Sequence, residues 1–270
     1  FKKVVVRDFV DLMAAIVDDN IAYLVYRYQD WVFEENELNV LHECGVKLIL
    51  WGHNTPFKDL RKIAKMKVFW LYIPVGKEQT DMLYDHPIWN KLFHIPNGFD
   101  DKPYSLLSST YEKRVTYIGS LIEAKGFHAL ARIWPEVVKQ CPEARLSVIG
   151  SGKLYNRDDK LGEHELAEAS YEARFMDYLI HNGVLNTVTF HGTMGVEKKA
   201  ILERSLIGVV NPTGQTENCP GSAIEFQAAG IPVVSGAYWG LLDTVLHGKT
   251  GLLVSSDKKL VESILFYLNN

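Results

Sequence analysis

Residues 211–234, NPTGQTENCPGSAIEFQAAGIPVV, decide the fold. The apolar run Ile207 to Val210 leads in and Ile231 to Val234 leads out, so the segment reads as strand, loop, helix, strand. Pro220 suits a first helical turn, where its fixed φ is preorganised and its missing N–H would have no partner. Asn218 or Cys219 then falls at the cap, and Gly230 with Ile231-Pro232 ends the helix. This leaves the N–H groups of Gly221, Ser222 and Ala223 at the helix start, where the dipole favours an anion such as a diphosphate. Glu217 before the helix and Glu225 inside it have seven residues between them. Glu225 is suited to accept hydrogen bonds from a ribose diol, and Glu217 to reach a sugar beyond the phosphates. The plainer reading is a capping acid and a solvated helix acid.

Outward from this segment, short Val/Ile/Leu runs alternate with amphipathic stretches of helical length, the pattern of an α/β fold around parallel sheets. Expected strands are Val4–Val6, Ala22–Tyr26, Val46–Trp51, Val68–Ile73 and Leu92–Ile95 in the first part. In the second they are Val115–Ile118, Arg145–Ile149, Val188–His191, Ile207–Val210, Ile231–Val234 and Gly251–Val254, with a helix over Ala124–Gln140. Between the two parts, HIPNGFDDKP crowds turn formers and helix breakers together. The expected division is therefore an N-terminal domain, 1–101, and a C-terminal domain, 102–270. The chain opens on Phe1, so the first domain is expected to be partial.

The 270 residues are 47% hydrophobic and 23% charged, as in ordinary globular proteins. A formal charge of -4 argues against a nucleic-acid binder, whose affinity comes from clustered cations. Three cysteines without a close pair fit a reducing cytoplasm, and no run approaches the ~20 apolar residues of a membrane span. No His/Cys cluster or acidic pair has metal-ligand spacing, so no metal or other cofactor is expected. Phe57, Lys58, Arg61, Lys62 and Lys65 belong to a basic amphipathic stretch that suits either anionic lipid at a membrane surface or plain solvation.

Three blocks resemble the retaining, group 1 glycosyltransferases of the GT-B fold. TENCPGSAIEFQAAGIPVV is similar to that family's Glu, seven residues, Glu motif. YIGSLIEAKGFHALARIWPEVVKQCPEARLSVIGSG resembles its Gly-Arg-Leu-x-x-x-Lys-Gly block and the Gly-x-Gly turn after it. LFHIPNGFD resembles its interdomain Ile-Pro-Asn-Gly-x-Asp. The resemblance implies two Rossmann-like domains with parallel sheets facing a cleft. Its implied activity is transfer of a sugar from a nucleoside diphosphate sugar to a hydroxyl of a glycan or lipid-linked acceptor, with retained configuration and without a metal.

Carried over by residue, the resemblance makes Lys125 a diphosphate contact, Glu225 the ribose ligand and Glu217 a contact to the transferred sugar. Gly150 and Gly152 then border the nucleotide and His191 the base, while His53 after a first-domain strand matches a histidine facing the donor sugar. A loop histidine of no catalytic role is the alternative for His53. Gly150-Ser151-Gly152 fails as a dinucleotide fingerprint, because no third glycine follows at the required place. Ser120 stands where the family usually has Arg, removing one of two cations expected against the departing diphosphate. That departure and the short first half keep open a catalytically weak sugar-nucleotide-binding or scaffold subunit, and a GT-B epimerase is a second alternative.

Overall fold

The computed structural model describes residues 5–27, 33–54, 60–104, 111–154 and 160–270. Two compact units divide the chain, Phe1–Asn97 and Gly98–Asn270. The division falls inside the turn-rich segment.

In the first unit a parallel sheet of order β1-β2-β3 comprises β1 (Tyr23–Arg27), β2 (Lys47–Gly52) and β3 (Phe69–Pro74). Its helices are α1 (Phe9–Asp18), α2 (Glu35–Glu43), α3 (Leu60–Ile63) and α4 (Lys77–Asp81). Leu48 and Leu50 bury one face of β2 in a core with Ile16, Leu41, Leu60 and Ile63. The alternate residues Tyr23 and Val25 of β1 stay exposed on the other face, as strand periodicity requires. Two expected strands are not strands. Val5 and Val6 precede the Asp8 cap of α1 without joining a sheet and Val4 lies outside the described residues, while 92–95 follow the edge of β3 through a Leu92–Tyr72 bridge and bonds from Phe93 and Ile95 to Tyr72 O and Pro74 O without forming a full strand.

The second unit is built on a six-stranded parallel sheet of order β6-β5-β4-β7-β8-β9. The strands are β4 (Arg114–Ile118), β5 (Arg145–Ile149), β6 (Val188–Gly192), β7 (Ile207–Val210), β8 (Val233–Gly236) and β9 (Gly251–Val254). On one face pack α5 (Phe127–Gln140), α6 (Ala169–His181) and α10 (Asp257–Asn269), where Trp134, Phe127 and Phe175 meet Val115, Tyr117 and Val148. On the other lie α7 (Lys199–Leu202), α8 (Gly221–Ala228) and α9 (Leu241–Thr244), where Phe226 and Leu241 meet Val210 and Val233. The strand runs are nearly all apolar because both faces are covered.

The order reverses at β4, which lies between β5 and β7. At such a switch point the loops leaving neighbouring strands diverge to opposite faces and open a crevice at the strands' carboxyl ends. The expected helix over 124–140 is broken at its start. Glu123–Lys125 form a 3-10 turn, and Gly126, at φ +71°, separates it from α5. Glycine carries that left-handed geometry without a Cβ penalty. Lys125 therefore sits in the turn before the helix and outside α5 itself.

Candidate functional site

A cavity of about 360 Å³ opens at the carboxyl ends of β4, β5 and β7. Its floor is backbone. Gly119 N–H donates to Ile149 O at 3.1 Å and Gly150 N–H to Gly192 O at 2.8 Å, stitching three strand ends together. Gly150 has φ +148°, and a Cβ there would stand 1.8 Å from Gly119 O, so this closeness requires glycine.

Four charged side chains dominate the site. Lys125 Nζ meets Glu217 Oε1 at 2.7 Å, with side chains 18% and 9% exposed. Lys198 Nζ meets Glu225 Oε1 at 2.7 Å, with side chains 18% and 7% exposed. Asn211, at the end of β7, donates its Nδ2 to Glu217 Oε1 (3.0 Å), Gln215 O (2.7 Å) and Ala124 O (3.0 Å). Its Oδ1 accepts from Thr213 Oγ1 and Gly214 N–H, so the amide orientation follows from the network. Through Asn211 the loop after β7 grips the loop that bears Lys125. Glu225 also accepts a hydrogen bond from the Tyr104 hydroxyl. Burial and that carboxylate push the Tyr104 phenol well above its usual range, which keeps it a donor.

Of the residues singled out in the sequence, Lys125, Glu217, Ser120, Gly150, Gly221 and Ser222 line the cavity. Other predicted residues are placed differently. Pro220 is the cap of α8 and its carbonyl accepts the Ala223 N–H at 3.1 Å, so the helix start presents Gly221 and Ser222 and not the fully buried Ala223. His191 does not line the cavity. Its Nε2 lies 3.2 Å from Ser147 Oγ on β5, and burial and then Arg114 lower its pKa; Thr193 and Met194 occupy the wall instead. Gly152 borders a separate depression with Glu123, Tyr171 and Arg174. Glu225 is not among the lining residues but pairs with Lys198, which is. His53 belongs to the first unit, just past β2 with its ring against Trp51, and burial followed by Arg27 lowers its pKa.

Asn211, Lys198 and Tyr104 are site residues that sequence reasoning missed. Lys198 lies in the loop after β6, where a ligand is expected beyond a strand end, but Lys198-Lys199 reads as a solvated pair. Of the basic amphipathic stretch, Phe57 and Lys58 lie outside the described residues. Leu60 and Ile63 are each 1% exposed and packed in the core, so the apolar half of that stretch is spent internally. Arg61, Lys62 and Lys65 line a depression with Glu35, which pairs with Lys62 at 3.4 Å. Among the described residues no helix is long and apolar enough to cross a membrane, and no group of three or more His, Cys, Asp or Glu is placed to hold a metal ion.

Residues 112–270 match the family model of the group 1 glycosyl transferases. The chain belongs to that family. It is 25% identical over 176 residues to the Staphylococcus aureus capsular polysaccharide biosynthesis glycosyltransferase CapM, covering 64% of this chain and 41% of that protein. With a GDP-mannose-dependent mannosyltransferase of monoacylated phosphatidylinositol monomannoside from Corynebacterium glutamicum it shares 24% identity, covering 68% and 48%. The chain thus spans about half the length or less of these two relatives. Among solved structures, HepE of Anabaena in complex with UDP and glucose superposes with a TM-score of 0.71 at 16% identity, covering 96% of this chain and 71% of HepE. At that identity the likeness establishes the GT-B fold of two Rossmann-like, parallel-sheet domains, with the first the smaller.

Proposed function

We propose that this group 1 family member transfers a sugar from a nucleoside diphosphate donor to a hydroxyl of a glycan or lipid-linked acceptor, with retained configuration and without a metal. The observation that carries the reading is the convergence of Lys125, Glu217 and the start of α8 on one cavity at the sheet's switch point. In this reading the diphosphate lies against the Gly221 and Ser222 end of α8, the ribose is held by Glu225, and the sugar lies against Glu217. As the bond from the anomeric carbon to the phosphate oxygen breaks, its electron pair stays on the diphosphate. Lys125 and the α8 dipole stabilise that charge where water is largely excluded. The acceptor oxygen bonds to the anomeric carbon and passes its proton to the departing diphosphate oxygen. Supporting this reading, CapM is named for capsular polysaccharide synthesis and HepE is seen with UDP and glucose. Retention rests on the family resemblance.

The test is transfer of radiolabel from UDP- and GDP-sugars to lipid and oligosaccharide acceptors, with and without EDTA. A labelled product of retained anomeric configuration, formed equally in EDTA, is expected. Donor binding without transfer would favour a scaffold subunit, and sugar isomerisation without acceptor an epimerase. Peripheral contact with anionic lipid through Arg61, Lys62 and Lys65 is part of the proposal as an electrostatic contact only, because Leu60 and Ile63 are buried. Salt-sensitive sedimentation with phosphatidylglycerol vesicles tests it.

A further inference from the structure

The cavity presents a charge problem. Its two lysines are each matched by a glutamate at 2.7 Å, so the four side chains sum to a formal charge of zero. Ser120, 5% exposed in the wall, adds none. A diphosphate entering this space carries two or more negative charges. Burying them against a neutral set is costly unless a cation is released to meet them. Lys125 is held in place, since its partner Glu217 is itself fixed by Asn211 and the Lys125 carbonyl accepts the Tyr117 hydroxyl at 2.8 Å. Lys198 is differently placed. It ends the 3-10 turn Val196–Lys198 in the loop after β6, and its partner Glu225 has a second donor in Tyr104. Glu225 therefore stays hydrogen-bonded when the ammonium leaves.

We infer that Lys198 is the second diphosphate cation of this chain, substituting for a charge that Ser120 does not supply, and that it reaches the phosphates by releasing Glu225 to the ribose. One movement does both tasks. A diol that bridges both carboxylate oxygens needs a place on Glu225 Oε1, which Lys198 and Tyr104 fill, and the flexible four-carbon stem lets the ammonium swing toward the cavity that Lys198 already lines. The uncharged diol replaces the ammonium at the carboxylate, which stays hydrogen-bonded to the diol and Tyr104, and the ammonium pairs with a phosphate oxygen, the more highly charged of the two anions. This inference rests on the donor-site reading above.

Calorimetric or NMR titration of UDP, UMP and uridine into wild type, Lys198→Met and Lys198→Arg tests it, with the guanosine series used if wild type prefers GDP. Lys198→Met is expected to weaken UDP binding about tenfold or more, as loss of a charge-assisted hydrogen bond does, and uridine binding far less. Lys198→Arg is expected to stay within about threefold of wild type, because the charge is kept. Equal losses for UDP and uridine would show that Lys198 only orients Glu225 and would overturn the inference. So would unchanged UDP affinity, or a Lys198→Arg variant as weak as Lys198→Met. If Lys198→Met fails to fold with Glu225 unpaired, Lys198→Met/Glu225→Gln compared with Glu225→Gln makes the same measurement. Wild type that binds none of UDP, GDP or ADP removes the donor-site reading itself, whereas wild-type binding indifferent to Lys198 removes this inference alone.

Discussion

Lys125 Nζ and Glu217 Oε1 lie 2.7 Å apart although 92 positions separate them in the chain. The pair joins the loops that leave β4 and β7, adjacent strands whose loops go to opposite faces of the sheet. Removing one partner strands a charge with little water around it. Lys125→Ala is expected to cost about 3 kcal/mol or more and to lower the melting temperature by about 6–12 °C. Lys125→Met/Glu217→Gln removes both charges and should recover most of that stability while sugar transfer stays abolished. Thermal melts and transfer assays on the three proteins separate the structural role from the chemical one.

Glu225→Ala should weaken nucleoside diphosphate binding about tenfold to a hundredfold, the range for a lost charge-assisted hydrogen bond. Tyr104→Phe keeps the carboxylate and its Lys198 partner, and should cost less than tenfold. Calorimetry with UDP and GDP, with circular dichroism to confirm folding, gives both values. Unchanged affinity in Glu225→Ala would take the ribose role from it.

Gly150→Ala places a Cβ 1.8 Å from Gly119 O at a φ of +148°. The strand ends must part, and the expected cost of at least about 1–3 kcal/mol falls on the cavity floor. A lower melting temperature together with lost nucleotide binding is expected. Gly221→Ala is the control for stability, since its Cβ meets nothing within 4 Å.

Acid should destabilise the second unit through two histidines. His128 is held below its usual value of 6.5 by burial and then by Arg174 and Arg132, and His191 by burial and then Arg114. Above pH 6.5 both are neutral folded or unfolded, and their contribution to stability is complete. As pH falls through 6.5 the unfolded chain takes up protons that the fold resists, so stability declines until the lower folded values are passed. Melting temperatures at pH 7.5 and 5 should show the drop, and His128→Asn should make it shallower.

The six strands of the second unit were legible because a sheet covered on both faces leaves uninterrupted apolar runs. The closeness of Lys125 and Glu217 was legible through the resemblance of their blocks to one family's motifs, whereas the ion pairs they and Glu225 make were not, because the partners are distant in the chain. Leu92–Ile95 was legible in part: Phe93 and Ile95 donate to Tyr72 O and Pro74 O along β3, but Leu92 to Tyr72 is the one bridge, too short a pairing to make a full strand. His191 misled because the end of a strand fixes a residue's height in the sheet, but strand alternation decides which neighbour it meets, here Ser147. Lys198 was invisible for a related reason: nothing local distinguishes it from Lys199, and only the arrival of α8 with Glu225 marks which ammonium turns inward. Tyr104 likewise gains meaning from a carboxylate 121 positions away.

The long separation between Lys125 and Glu217 also has a temporal side. At about 5–20 residues per second, a ribosome delivers the lysine roughly 5–20 s before its partner. During that interval the carboxylate and Asn211 do not yet exist, and β4 can pair with β5 but not with β7, which occupies residues 207–210. A nascent chain that stops short of β7 has half its central sheet, holds Lys125 and Lys198 without either glutamate partner, and leaves an unpaired edge along β4. The vulnerable moment in this protein's synthesis is therefore the wait for β7. Nascent chains stalled before β7 has left the ribosome should be protease-sensitive and those stalled after it has emerged more resistant, and chaperones that cover strand edges should be engaged before its emergence and released after it.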